Sequence, residues 1–225
     1  MLPFRRHTEL LAEAVRLVGV RALDVGCGDG GLLRWLARRG ADAIGLDPDP
    51  AQLARAATAV RPTVLVRADA ERLPFRPAAF DLVLLFNSLH HVAAPAQGLA
   101  EATRVLRPGG DLVVVEPLAE GSWFELLRPL EDETAVRARA YEVLLGGART
   151  CGLEPARELT YASRVEVASL DEALGRLLAA NPERQSGLGA KRPELERRFA
   201  ASAERVAGGF AFAQPMRLNH LRRAA

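Results

Sequence analysis

Lysine is nearly missing from this 225-residue chain: Lys191 is the single lysine among 30 basic residues. That bias toward arginine reads as compositional, the mark of GC-rich coding, because the basic residues are not gathered into a stripe. Arg5-Arg6, Arg38-Arg39, Arg197-Arg198 and Arg222-Arg223 are scattered doublets, and the formal net charge is only +2. A nucleic-acid partner needs a concentrated basic footprint, so none is expected. Cysteine is equally scarce. Cys27 and Cys151 are too few for a disulfide framework or a structural zinc site, and the four histidines form no ligand pattern, so no metal is expected. No apolar run reaches membrane-spanning length, and the N-terminus lacks the apolar stretch of a signal peptide. The default expectation is a soluble cytoplasmic protein, monomer or homodimer, with no membrane partner.

What is present is an alternation of short apolar runs with amphipathic stretches, the pattern of a parallel sheet covered by helices. Residues 7–18 carry a helical stripe of Leu10, Leu11, Ala14, Val15 and Val18. Strands are expected at 21–25, 43–46, 63–67, 80–86 and 111–116. Helices are expected at 32–39, with Gly40 as C-cap, at 50–60, and at 94–105, stopped by Pro108-Gly109-Gly110. The second half predicts helices at 131–150, 170–179 and 193–207, one or two strands within 157–167, and a closing strand at 209–222. One domain of 1–225 is expected, with a cofactor half at about 20–117 and a lid plus C-terminal elements at about 118–225.

Leu23 to Gly30 places a glycine loop directly after the first strand. Glycines at a strand-to-helix turn let the backbone approach a ligand, and the following helix adds amide donors. Gly26, Gly28 and Gly31 satisfy G-x-G-x-x-G, and Asp47 lies downstream at a strand end, a pattern that alone fits a nicotinamide dinucleotide. Asp24 separates the two ligands. A carboxylate just before the glycines suits the ammonium and sulfonium of S-adenosylmethionine and repels a pyrophosphate. Asp47 can accept from both ribose hydroxyls of either cofactor. Asp69, after the third strand, can accept from an adenine amino group. All three stand at carboxyl ends of strands, where open α/β sheets bind ligands.

Leu23 to Gly30, Gly45-Leu46-Asp47, Asp69-Ala70-Glu71-Arg72-Leu73-Pro74-Phe75, Phe80-Asp81-Leu82-Val83, Leu89-His90-His91-Val92 and Leu106-Arg107-Pro108-Gly109-Gly110 resemble the ordered motifs of class I S-adenosylmethionine-dependent methyltransferases. The resemblance is to the small type 11 branch, which includes ubiquinone/menaquinone-biosynthesis-like enzymes, and it covers roughly residues 20–117. It implies a three-layer Rossmann-like sandwich with a mostly parallel seven-stranded sheet whose last strand is antiparallel. It also implies that Asp24, Gly26 and Gly28, with Cys27 packed in the same loop, line the methionine moiety. Asp47 would hold the ribose and Pro48 would border the adenine. Asp69 and Ala70 would meet its polar edge, and the Asn87 backbone would approach the amino group.

The implied reaction is in-line transfer of a methyl group to a small-molecule acceptor, driven by proximity and exclusion of water. His90 and His91 are the candidate bases, with His91 favoured as pocket-facing. Arg6, His7, Glu116, Trp123, Phe124 and Tyr141 are candidates for substrate or lid contacts, and Pro117 to Thr134 for the lid itself. A nicotinamide-dependent oxidoreductase and a non-catalytic S-adenosylmethionine-binding protein stand as the alternatives.

Overall fold

The computed structural model describes residues 2–60, 64–180 and 182–225, with positions 180, 182 and 183 described by backbone alone. In chain order the elements are α1 (His7–Ala14), β1 (Arg21–Val25), α2 (Gly31–Arg38), β2 (Asp42–Asp47), α3 (Pro50–Ala59), β3 (Val64–Arg67) and β4 (Phe80–Phe86). A 3₁₀ turn (Leu89–His91) leads to α4 (Pro95–Val105), β5 (Leu106–Pro117), α5 (Ser122–Leu127), α6 (Thr134–Thr150) and β6 (Leu153–Val167). The chain closes with α7 (Leu170–Ala180), a second 3₁₀ turn (Pro182–Gln185), α8 (Leu188–Ser202), β7 (Glu204–Val206) and β8 (Gly209–Arg223).

The sheet runs in the order β3-β2-β1-β4-β5-β8-β6, and β7 pairs with β8. Strands β1 to β5 are parallel, with Asp24 opposite Gly45 on one side and Leu84 on the other. The β7–β8 pair is antiparallel. Among the described residues the sheet therefore has eight strands, the expected seven plus the short β7.

Contacts divide the chain into two compact units. One comprises Arg6–Glu116, Ala138–Leu159 and Arg217–Ala225; the other comprises Met1–Arg5, Pro117–Arg137 and Thr160–Met216. In the first, β1, β2, β4 and β5 are nearly continuous apolar runs, and their side chains build one core with α4 and α6. Leu23, Val25, Val83, Leu85, Leu112 and Val114 are each 0–2% exposed there. Each such side chain contributes on the order of 1.5–3 kcal/mol. In the second unit a separate cluster of Leu126, Val167, Leu174, Leu195, Phe199 and Phe212 forms the core.

Local chemistry explains most boundaries. Asp49 caps α3 by accepting from the Ala51 N–H at 2.7 Å, and Pro50 takes the first helical position. Helix α2 ends in a Schellman motif: Gly40 N–H donates to Ala37 at 3.0 Å and Ala41 N–H to Leu36 at 3.2 Å.

Several expectations need correction. The helix expected over 7–18 stops at Ala14, where Val15 turns to an extended conformation and Val18 is left 66% exposed. Pro108-Gly109-Gly110 does not stop α4; the chain leaves the helix at Leu106 and enters β5 directly. Leu106 pairs with Phe80 and Asp111 with Leu82, so the Pro-Gly-Gly segment is extra chain bulged out of the ladder. Helix α6 begins at Thr134 rather than 131, and 153–167 is a single strand. Helix α8 starts at Leu188 and carries Pro193 inside it, at a position where proline removes one i→i−4 hydrogen bond; 204–206 is a strand rather than helix. Thr63, expected to open the third strand, lies outside the described residues.

Candidate active site

Five parallel strands deliver their carboxyl ends to one edge of the sheet, and the loops there enclose a cleft of about 210 Å³. Val25, Gly26, Leu46 and Pro48 form one wall; Asp69, Ala70 and Glu71 form another. Ser88, His91, Val92 and Ala93 close the third. Of the residues singled out in the sequence, this brings Gly26, Pro48, Asp69, Ala70 and His91 together.

Asp24 is the penultimate residue of β1, two positions before Gly26 of this wall. Its side chain is buried, at 1% exposure, and neither carboxylate oxygen has a hydrogen-bond partner in the structure. Burial, and secondarily the charge of Asp47, pushes its pKa up to about 7. An isolated carboxylate in such a place is unfavourable by several kcal/mol unless a cation or a donor meets it. Asp47 behaves oppositely, because its two oxygens are occupied by backbone. Oδ2 accepts from Gly28 N–H at 2.9 Å and Oδ1 from Asp49 N–H at 2.9 Å, which fixes the carboxylate under the glycine turn. One lone pair on each oxygen is left for a further donor.

The glycine turn itself is held by Gly26 and Cys27 N–H groups donating to Leu46 at 2.7 and 3.0 Å. Gly26 has φ of +77°, and a Cβ there would lie 2.5 Å from Ser88 Cβ, so no other residue fits. Gly30 has φ of +80°, and a Cβ there would lie 3.0–3.4 Å from Val60 and Ala56, whereas Gly31 is an ordinary first helical residue. The operative spacing is therefore G-x-G-x-G, and the third glycine of a dinucleotide fingerprint is absent from its structural role. Cys27 turns its thiol away from the cleft. The sulfur lies 2.9 Å from the place a Cβ would take at Gly45, and burial with the neighbouring Asp24 and Asp47 charges keeps the thiol fully protonated.

A second wall is buttressed from α4. Arg104 donates to the Phe75 carbonyl at 2.8 Å, to Leu73 at 2.9 Å and to Glu101, while Glu101 accepts from Leu73 N–H at 2.8 Å. That grip is why Leu73-Pro74-Phe75 holds its turn. Glu71 accepts from Ala94 N–H at 3.1 Å, and its carbonyl accepts from Gln97 at 3.0 Å. Asp69 and Ala70 are thereby fixed against the start of α4.

The two histidines pack with ring centroids 3.9 Å apart but differ in exposure. His91 is exposed and lines the cleft, whereas His90 is 6% exposed and its Nδ1 is bonded to Glu116. The other oxygen of Glu116 accepts from Ser88 N–H at 3.1 Å and Leu89 N–H at 2.9 Å. Asn87 takes a left-handed conformation, φ +52°, which asparagine tolerates, and donates its N–H to Val115 at 2.8 Å. His7 packs edge-on to Phe86 at 4.9 Å, and burial lowers its pKa to about 4; Arg6 is exposed just before α1.

Two candidates lie in other surroundings. Tyr141 has the Arg217 guanidinium 3.5 Å from its ring centroid and donates to Glu158 at 3.1 Å, and it is not among the residues lining the cleft. Trp123 belongs to the second unit and packs edge-on to Phe212 at 5.7 Å, beside buried Phe124. Within that unit the segment expected as a lid is pinned. Leu118 N–H donates to Pro215 at 2.9 Å, Gln214 donates to Leu118 at 3.0 Å, and Ala213 N–H donates to Ser122 Oγ at 2.9 Å.

Ser88 and the turn toward Glu116 were not singled out from sequence. The signal available was position alone: Ser88 follows the end of β4, at the ligand-binding edge of the sheet.

Comparison with known proteins names this arrangement. Residues 23–114 match the family described as "Methyltransferase domain". The chain is 39% identical over 121 residues to the phthiotriol/phenolphthiotriol dimycocerosates methyltransferase of Mycobacterium leprae, covering 51% of this chain and 45% of that one. Methyltransferase GfsG of Streptomyces halstedii is 33% identical over 178 residues, 74% of this chain and 58% of that protein. The chain spans only 30–58% of the length of such curated relatives. Among solved structures, the [4+2]-cyclase SpnF superposes with a TM-score of 0.66 at 25% identity, over 97% of this chain and 80% of that one. Among the described residues no helix is long and apolar enough to cross a membrane.

Proposed function

We propose that this protein binds S-adenosylmethionine in the cleft at the carboxyl ends of β1 to β4 and transfers its methyl group to a small-molecule acceptor. The observation that carries this reading is the buried, partnerless carboxylate of Asp24 beside the glycine turn. A dinucleotide would bring pyrophosphate toward Asp24 and Asp47, two carboxylates to which no cation is paired among the described residues. A ligand bearing an ammonium supplies the partner that Asp24 lacks. When bound, the cofactor supplies an electrophilic methyl group, so the protein needs no nucleophile of its own.

The remaining roles follow from position. Gly26, Gly28 and the backbone of Asn87 border the amino-acid end, with Cys27 filling space beneath the loop. Asp47, already oriented by two amides, accepts from the ribose. Pro48, Asp69 and Ala70 border the adenine. His91, exposed in the cleft wall, is the candidate base for an acceptor that must lose a proton. The near-balanced charge supports a metabolite as acceptor rather than a nucleic acid. The relatives named above, one described as acting on phthiotriol and phenolphthiotriol dimycocerosates, point the same way.

The likeness to SpnF, described as a cyclase, supports one second reading: a protein of this fold that holds the cofactor without methyl transfer. Titration calorimetry with S-adenosylmethionine and with NAD, followed by incubation with methyl-labelled cofactor and fractionated host extract, tests both. Binding of the first cofactor and a labelled small-molecule product are expected. Selective binding of NAD overturns the cofactor assignment. Tight binding with no labelled product in any fraction favours the second reading.

A further inference from the structure

Ser88 carries an unexplained hydroxyl. The residue is 8% exposed and lines the cleft, yet its Oγ has no hydrogen-bond partner. Buried hydroxyls are normally satisfied, and leaving one without a partner costs about 1–3 kcal/mol. The surroundings hold it there. Gly26 leaves the space it occupies: a Cβ on Gly26 would come within 2.5 Å of Ser88 Cβ and 3.3 Å of Oγ. Glu116 fixes the backbone from the other side, accepting from the N–H groups of Ser88 and Leu89 through one oxygen and binding His90 through the other. One carboxylate on β5 thus organises the whole turn after β4.

We infer that Ser88 is a binding residue for the amino-acid end of the cofactor, its hydroxyl donating to the ligand's carboxylate, and that Glu116 is the positioning residue that presents it. The inference rests on the S-adenosylmethionine reading. Asp24 lies on the neighbouring strand and takes the ammonium, so the hydroxyl over Gly26 is the donor left for the carboxylate. Glu116 is committed to three groups on the turn, two N–H donors and the His90 imidazole, rather than to an acceptor substrate. A charge-assisted hydrogen bond of this kind is worth roughly tenfold or more in affinity.

The test is titration calorimetry with two probes, S-adenosylhomocysteine and 5′-methylthioadenosine, the second lacking the amino-acid end. Ser88→Ala should weaken S-adenosylhomocysteine about tenfold and leave 5′-methylthioadenosine unchanged. Its Tm should not fall, because the hydroxyl bonds nothing in the free protein; a purely structural serine would lower it. Glu116→Ala should produce a similar loss, and adding Ser88→Ala to it should cost little more, while Glu116→Gln, whose amide oxygen still accepts from both N–H groups, should recover most of the affinity. Equal binding of S-adenosylhomocysteine by Ser88→Ala and wild type overturns the binding role. An equal loss for both probes overturns the assignment to the amino-acid end. Additive losses in the double variant overturn the positioning role of Glu116. Wild-type protein that binds neither probe overturns the cofactor reading and this inference together.

Discussion

Replacing Asp24 by asparagine separates the cost of this residue to the fold from its use to the ligand. The carboxyl is fully buried and its pKa stands at about 7 against an ordinary 3.8. Between these values the unfolded chain releases the proton and the folded protein keeps it. Stability therefore falls as pH rises from about 4 to about 7 and is level beyond. The difference, about 3 pH units at roughly 1.36 kcal/mol each, amounts to at most about 4 kcal/mol. Asparagine does not titrate, so Asp24→Asn lacks this loss. Its amide introduces donors with no partner, a cost of about 1–3 kcal/mol that is the same at every pH. The variant should be no more stable than wild type at pH 4 and about 1–3 kcal/mol more stable at pH 8, in the absence of ligand. Urea unfolding at one-unit steps from pH 4 to pH 8 reads the swing directly. The same variant should lose S-adenosylmethionine binding. A stability difference that stays constant over this range, or a wild type that gains on the variant as pH rises, refutes the account of Asp24 as an uncompensated buried carboxyl.

Gly26→Ala must place a methyl 2.5 Å from Ser88 Cβ at a φ of +77°. The expected cost is about 1–3 kcal/mol in urea unfolding together with loss of cofactor binding, and a variant of wild-type stability and affinity contradicts the packing described here. Arg104→Ala removes the donors to Leu73 and Phe75 and should cost about 1–3 kcal/mol. Hydrogen exchange should rise at residues 69–75 before it rises elsewhere, and uniform protection would count against the buttress. His7 is kept neutral by burial down to about pH 4, while the unfolded chain takes up its proton near 6.5. Wild-type stability should therefore decline as pH drops from 6.5 toward 4, and His7→Gln should flatten that part of the Tm profile. Parallel profiles for the two proteins would show that His7 does not carry it.

The first half was legible because β1, β2, β4 and the end of β5 are buried on both faces. Runs such as Leu82-Val83-Leu84-Leu85 have no polar alternation to misplace, and Asp-Pro and Gly punctuate the helices between them. The α8–β7 region was not. Glu204, Arg205 and Val206 continue the charged composition of the helix before them, and what makes them a strand is pairing with Gly209 to Ala211, a hairpin whose turn is set at Gly208. The Pro-Gly-Gly segment misled for a related reason: breakers mark where regular structure is interrupted but not whether a helix or a ladder is being interrupted. In the site, residues adjacent to glycines or at strand ends could be found by position. Glu116 could not be assigned its partners, because its contacts with Ser88, Leu89 and His90 cross 26–28 residues of chain. Spacing in sequence says nothing about which way a strand-end carboxylate turns.

Two carboxylates at adjacent strand ends have been given opposite treatments, and the contrast is the strongest physical argument for a ligand. Asp47 is built as a structural acid would be, with an amide on each oxygen. Asp24 is as deeply buried but has no partner, and Asp47 makes its ionisation harder. A fold needing only a small polar residue at this point of β1 would be more stable with serine, asparagine or alanine. Retaining an acid there is favourable only if some bound state repays it, and a ligand ammonium does so while also returning the carboxyl to its ionised form. Cofactor binding should then release close to one proton below pH 7 and progressively fewer above it. Calorimetric titration in buffers of different ionisation enthalpy measures that number, and a proton release that does not depend on pH, or that persists in Asp24→Asn, would place the missing partner of Asp24 somewhere other than the ligand.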